Sequence, residues 1–353
     1  VAERTIIALV SAPSGFVGRT KKSLPVKSMW WSDAESVNAA LEPLLHVPTS
    51  VLRLISATAD ESAWGGELIY HVEAHREPDR KHVRRHLRAA EAPEADAPRR
   101  QLWARLGGPA ELVAWADSHI QRTRRAVQVK TWNLSSVHRL DTTDGTVWLK
   151  AVPSFVQDEA TVIKMVAAHD LSLVPEVIAS APHRVLLSHA PGGACWPIKP
   201  EHVDLIVPRW VAVQHALAGE PRVPPSAVPM PDFGLPDTLV HGDFTPDNWT
   251  ANGMIIDWSF AMWGNPALDV GRLLDYCPHL YGHIAKVWSD AWLRHRPDSR
   301  PLDALDAARR AARLQHAMTY QEVHDEAEDS DRIYHRDSSA HALSAVRRLV
   351  TTP

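Results

Sequence analysis

This sequence predicts an α+β fold in which β-rich segments lead into a helical half. Three observations carry the prediction. β-Branched and alternating runs, punctuated by Gly, Pro, Asn and Asp, dominate up to about residue 187, and helical periodicity dominates after residue 200. Between them and the C-terminal helices lies Leu239 to Asp269, LVHGDFTPDNWTANGMIIDWSFAMWGNPALD. It sets Asp243, Asn248 and Asp257 at the ends of short apolar runs, with the turn Ala251-Asn252-Gly253 between. The stretch reads as strand, loop, short strand, turn, strand. Its oxygen-bearing side chains suit a hard cation such as Mg²⁺, which takes carboxylates, amide carbonyls and phosphate oxygens.

The bulk properties exclude several classes. The chain has 353 residues, 45% hydrophobic and 23% charged, the profile of an ordinary globular protein with two or three domains. A formal charge of −4 without a dense basic stripe argues against nucleic acid as a partner. Cys195 and Cys277 stand in no metal or redox spacing, and the 20 histidines are scattered. No run approaches the roughly 20 apolar residues of a membrane helix, and the opening VAERTIIALVSA lacks the pattern of a signal peptide. A cytoplasmic protein with no membrane partner is expected.

The pattern H-G-D-x-x-x-x-N, followed by an apolar run and D-W, resembles the catalytic loop and metal-binding segment of the aminoglycoside phosphotransferase family. That family includes choline-, homoserine- and sugar-kinase-like members and has a bilobal, protein-kinase-like fold. Compared with protein kinases, H-R-D has become H-G-D, D-F-G has become Asp257-Trp258-Ser259, and no A-P-E segment follows. A small-molecule acceptor is therefore expected rather than a protein. The resemblance spans roughly 128–350 and implies ATP or GTP as phosphoryl donor with Mg²⁺. It gives Asp243 the acceptor hydroxyl and its proton, and Asn248 and Asp257 the metal. His241 reads as a packed loop support and Asp269 as a brace for the loop.

In chain order, residues 1–75 read as a small ββαββ module: a hairpin from Arg4 to Lys21, a helix capped at Ser32–Glu35 and running through Leu45, and two strands near 51–57 and 67–74. Trp30-Trp31 reads as core or as a binding surface. A cap over the kinase-like part and a homodimer surface are the roles open to the module. Residues 76–105 mix charge, Ala and Pro as a linker, with a basic helical turn near 81–88. Residues 106–190 form the nucleotide lobe, opened by a helix at Gly107-Gly108-Pro109. Val147-Trp148-Leu149-Lys150 matches the lysine strand of kinases, which places Lys150 against phosphates. Glu159, at the start of the next helix, is the resemblance's partner for Lys150. The loop Asn133 to Ser136 lacks the glycines of a kinase loop, so Ser135 and Ser136 would cover phosphates through hydroxyls and backbone N–H groups. Ser188, His189 and Ala190 would form the hinge to the purine.

Residues 191–353 read as the helical catalytic and substrate-binding lobe. Helices are predicted at 202–217, 266–276, 281–295, 302–326 and 341–349. The connection 221–237 holds six prolines and reads as extended. Asp325, Glu326, Glu328, Asp329 and Asp331 form an acidic cluster that either receives a cationic acceptor or is a solvated loop. Trp263, Tyr276 and Tyr334 could stack on a ring. The functions consistent with these residues are phosphorylation of an antibiotic of aminoglycoside or nucleoside type, giving resistance, a metabolic sugar, amino-sugar or choline-type kinase, and a non-catalytic nucleotide-binding regulator.

Overall fold

The computed structural model describes residues 4–58, 65–94 and 96–335. The predicted helix 341–349 lies outside the described residues. The chain divides into two compact units, Val1–Pro153 with Val323–Asp337, and Ser154–Glu322 with Ser338–Pro353. The α+β class expected from the sequence is the one observed.

The first unit begins with β1 (Arg4–Ala12), β2 (Gly15–Thr20) and β3 (Leu24–Val26), followed by α1 (Glu35–Leu45), β4 (Thr49–Ala57) and β5 (Gly66–Ala74). α2 (Arg80–His86) and β6 (Leu87–Arg88) follow. The strands order as β4-β5-β1-β2-β6, with β3 also paired to β1. β1 is a nearly continuous apolar run because it lies inside the sheet, parallel to β5 and antiparallel to β2. That parallel pairing requires the crossover that α1 supplies. α1 sets Val37, Leu41 and Leu45 in one buried cluster with Ile6, Val10 and Leu68. Asp33 accepts from the Ser36 backbone N–H at 3.1 Å and so satisfies one orphan donor of the first turn. The adjacent tryptophans separate: Trp31 is buried, while Trp30 is 57% exposed.

Further along, α3 (Gly108–Asp117) leads to an antiparallel meander of β7 (Val127–Trp132), β8 (Ser135–Thr142) and β9 (Gly145–Ala151). The residues from Val323 return to this unit. Tyr334 packs edge-on against Trp31 and Trp132, at ring centroid distances of 6.1 and 5.9 Å.

The second unit holds α4 (Glu159–Ala167), a hairpin of β10 (Val177–Ala181) and β11 (Arg184–Ser188), and α5 (Pro200–Leu217). β12 (Thr238–Val240) and β13 (Met262–Gly264) pair antiparallel. Three helices follow: α6 (Ala267–Tyr276), α7 (Tyr281–His295) and α8 (Pro301–Glu326), whose last residues from Val323 belong to the first unit. Their apolar faces enclose Val211, Trp210, Leu239, Trp258, Leu273 and Trp292. The extended connection 221–237 contains no helix or strand, as its prolines dictate. Met254 to Ile256, expected as a strand, is reduced to a single bridge between Trp249 and Ile255. The reason is divided bonding: the Ile255 N–H goes to Leu173 O at 2.7 Å, and only that of Ile256 returns to Asn248 O at 2.9 Å. Among the described residues, no helix is long and apolar enough to cross a membrane.

Candidate active site

The loop after β12 is held from below by Asp269, buried in the first turn of α6. Its Oδ2 accepts from the His241 backbone N–H at 3.0 Å, Trp210 Nε1 at 2.8 Å and Gln214 Nε2 at 3.2 Å. Its Oδ1 accepts from the Gly242 backbone N–H at 3.1 Å. Burial pushes the Asp269 carboxyl up, and His241 with these donors opposes that shift. Because each of these four partners is an N–H donor, the ionised carboxylate is the form the geometry fits.

His241 is itself fully buried. The Asp243 backbone N–H donates to its Nδ1 at 3.2 Å, which leaves Nε2 to carry the proton and donate to Ile256 O at 3.0 Å. The imidazole therefore ties the loop to the end of the Trp249–Ile255 hairpin. Gly242 explains why an Arg is not found between His241 and Asp243. Its φ is +83°, and a Cβ there would stand 2.1 Å from Phe260 O.

These supports present Asp243, whose side chain is partly exposed. Its Oδ1 accepts from Arg272 Nε at 3.2 Å and from the Arg272 terminal nitrogen at 3.1 Å. Its Oδ2 accepts from Asn248 Nδ2 at 3.1 Å, and the same nitrogen reaches Asp243 O at 2.9 Å. Asn248 closes the short 3₁₀ turn Pro246–Asn248. With its amide nitrogen occupied in this way, its carbonyl oxygen is the atom left for a cation. Asp257 follows the hairpin with φ of +64°, a left-handed conformation that Asp tolerates better than most residues. Ser259 Oγ stands 3.1 Å from Asp257 Oδ1 and 2.8 Å from Glu159 Oε1, and its single proton serves one of the two carboxylates at a time. An amide oxygen and a carboxylate are donors of the hard kind that Mg²⁺ takes together with phosphate and water oxygens. Among the described residues, no three His, Cys, Asp or Glu side chains group as a metal site by themselves.

Arg272 was not singled out from the sequence. It lies three residues after Asp269 on α6, a spacing that puts both side chains on one helix face, and that spacing was the available signal. Its guanidinium also lies 5.7 Å from the Tyr276 ring centroid. Tyr276 hydrogen-bonds Asp247 and meets Trp196 edge-on at 6.0 Å between centroids. Trp196 is 56% exposed and Tyr276 is 37% exposed, so an aromatic surface borders the Asp243 loop. From α8, His316 packs against Tyr320 in a tilted arrangement, with 4.4 Å between ring centroids. Removal from water, with Arg272 adding to it, lowers His316 to about 3. Burial first, and Asp243 next, raises the Tyr320 phenol.

The nucleotide candidates fall in different places. Lys150 lies in β9 opposite Val137, in the first unit. Glu159, buried at the first position of α4, belongs to the second. Asn133 to Ser136, expected as a loop, is a tight turn at Asn133-Leu134, with Ser135 and Ser136 already paired in β8. Both serines are buried. Ser135 Oγ accepts from Trp132 Nε1 at 2.9 Å, and Ser136 Oγ is enclosed without a partner among the described residues. Their hydroxyls face protein, a placement at odds with the expected cover for phosphates. Where the hinge is expected, the Ser188 N–H goes to Glu176 O at 2.9 Å and its Oγ accepts from the Glu176 N–H at 2.9 Å.

The acidic cluster is drawn into ion pairs of the first unit. Glu328 is buried, with Oε1 2.8 Å from Arg53 and 2.6 Å from Arg100. Glu326 stands 3.7 Å from Arg99, Asp329 is 3.0 Å from Arg332, and Asp325 is 3.4 Å from His324. Tyr334 is core. Long-range pairing and burial therefore claim Glu328 and Tyr334, which had been weak candidates for acceptor binding.

Among curated proteins, none matches the chain. Several solved structures resemble it. A choline/ethanolamine kinase family protein of Mesorhizobium loti is 16% identical over 69% of this chain and 96% of its own, with a TM-score of 0.45. A choline kinase of Streptococcus pneumoniae is 13% identical over 68% of this chain and 99% of its own, with a TM-score of 0.45. An aminoglycoside phosphotransferase is 17% identical over 68% of this chain and 98% of its own, with a TM-score of 0.45. Residues 215–305 match the model of the phosphotransferase enzyme family. Asp243, Asn248, Asp257, Asp269 and Arg272 all lie within the matched residues.

Proposed function

We propose that this protein transfers the γ-phosphoryl group of ATP or GTP to a hydroxyl of a small molecule. One observation carries the reading. Asp243 is held by Arg272 on one oxygen and Asn248 on the other, so a carboxylate is fixed beside an amide whose oxygen is turned away from it. Phosphoryl transfer asks the protein for positioning and charge compensation more than for covalent chemistry. Asp243 orients the acceptor hydroxyl and receives its proton. Asn248 and Asp257 would hold Mg²⁺, which when bound supplies positive charge to the phosphate oxygens. Lys150 contributes an ammonium to the phosphates. The backbone of His189 and Ala190 meets the purine.

The acceptor is read as an antibiotic, with resistance as the outcome. Because Glu328 is committed to Arg53 and Arg100, the acidic cluster gives little support to a polycationic aminoglycoside. The exposed Trp196–Tyr276 pair favours a neutral hydroxylated acceptor with a ring to stack, such as a nucleoside antibiotic. A metabolic sugar kinase is the second reading, supported by the same surface. The two cysteines are unpaired and buried, in keeping with the cytoplasmic location proposed here.

The test is a panel of nucleoside antibiotics, aminoglycosides, sugars, amino sugars and choline, scored for ADP or GDP release with Mg²⁺. Acceptor-dependent release that Asp243→Asn abolishes supports the proposal. Absence of release across the panel, with no thermal stabilisation by either nucleotide, would overturn it.

A further inference from the structure

The first unit contains a cavity of about 430 Å³ bounded by α1, α3, the start of β4, the end of β5, and residues of β7 and β8. It is distinct from the face that carries Lys150. In the β8–β9 ladder Val137 opposes Lys150 and His138 opposes Leu149. Opposed residues share a face and successive residues alternate, so His138 stands on the reverse side of the sheet from Lys150. Gln128, which opposes His138 in β7, lines the cavity on that same side.

The lining is mixed in chemistry: Ala39, Pro109, Val113 and Val127 are aliphatic, and Asn38, Ser50, Gln128 and His138 are polar. His138 is 2% exposed and makes no hydrogen bond among the described residues, with Nδ1 fully enclosed. Such a buried group normally has a partner. Burial, with His75 nearby, lowers its pKa to about 4, so the ring is neutral and offers one donor and one acceptor. Gln128 Nε2 donates to Val51 O at 2.8 Å and Asn38 Nδ2 to Gln128 Oε1 at 3.2 Å, each leaving a second N–H. The charged residues are already matched. Glu42 pairs with Arg125 at 2.7 Å and Asp117 with Arg122 at 2.6 Å, and Glu35 lies 3.1 Å from Arg139.

We propose that this cavity is a second small-molecule site that binds an uncharged planar heterocycle of nucleobase size, its face on the aliphatic residues and its edge hydrogen-bonded to His138, Gln128 and Asn38. Paired charges leave no lone ion to attract a charged ligand. A lining that combines aliphatic side chains with a few hydrogen-bonding groups suits a flat ring better than a polyol, whose hydroxyls point in every direction. The volume lies within the range of small-ligand pockets.

Saturation-transfer NMR on the full chain tests this with hypoxanthine, theophylline and uracil as probes and myo-inositol as a polyol control. AMP-PNP with Mg²⁺ in excess is present throughout, so that the Lys150 face does not contribute. The blocking variant is Ala110→Trp with Ala114→Trp, two exposed residues that line the cavity and whose replacement disturbs no core packing. His138→Phe is the second variant and removes both ring nitrogens at similar volume. At least one heterocycle is expected to bind, about tenfold more weakly in each variant, and equally well in Asp243→Asn. Binding by none of the heterocycles, binding unchanged by the tryptophan pair, or binding by myo-inositol alone would overturn the proposal.

Discussion

Arg272 grips a single oxygen of Asp243 through two of its nitrogens, at 3.2 and 3.1 Å, and so fixes the carboxylate proposed to meet the acceptor. The side chains are 24% and 27% exposed, so this is a partly screened pair whose value is orientation more than stability. Arg272→Ala should lower kcat about tenfold to a hundredfold, the range for losing a hydrogen bond to a charged group. Arg272→Lys should recover only part of it, because an ammonium has no planar fork. Steady-state kinetics with an accepted substrate check both, with the melting temperature expected to change little.

Gly242 has a backbone requirement that no side chain can meet. Gly242→Ala combines φ of +83° with a Cβ 2.1 Å from Phe260 O. We expect destabilisation of more than about 1–3 kcal/mol, since a steric clash adds to the conformational strain. Chemical denaturation measures it; a variant as stable as the parent would show that the loop does not need this conformation.

The buried pairs of Glu328 set structure against substrate binding. Glu328→Gln leaves the Arg53 and Arg100 guanidinium groups under-compensated in the first unit and should cost about 3–5 kcal/mol of stability. The KM for the acceptor should be unaffected in the protein that remains folded. A large rise in KM at unchanged stability would return Glu328 to the acceptor.

Asp331 supplies a pH signature. Burial first, then Glu328, push its carboxyl from 3.8 up to about 7, against Arg53 and Arg100. Between those values the folded state holds a proton that the unfolded chain has released. This group's contribution is therefore full below about pH 4 and is lost as the pH rises through about 7. Asp331→Asn should flatten that part of the profile and stabilise the protein at about pH 8 relative to the parent. Urea unfolding at several pH values reads it; a variant with an unaltered slope would remove Asp331 from the account.

Much of the candidate site's layout was legible in the sequence because its residues are close in the chain. Asp243 and Asn248 sit on one turn, and Asp257 follows a short apolar run, so spacing alone brings them near. The helices 281–295 and 302–326 were legible from periodicity, and the structure begins and ends them within a residue of the expected bounds. What escaped depends on partners distant in the chain. Glu328 reads as one acid in a hydrophilic tail until Arg53, 275 residues earlier, is brought to it. Met254 to Ile256 has the composition of a strand, and only the Leu173 carbonyl explains why its ladder stops at one bridge. Asn133 to Ser136 read as an open loop, whereas Trp132 and His335 pack around its turn and bury it.

The most direct measurement is phosphoryl transfer by Asp243→Asn, followed by ³¹P NMR of the product alongside nucleotide binding by calorimetry. The substitution retains shape and hydrogen bonding but removes the carboxylate. The predicted result is unchanged affinity for the nucleotide with Mg²⁺ and loss of phosphorylated product by about two to four orders of magnitude, the span of a positioned acid–base group. Turnover equal to that of the parent would contradict the assignment of Asp243 and, with it, the site built around Arg272 and Asn248.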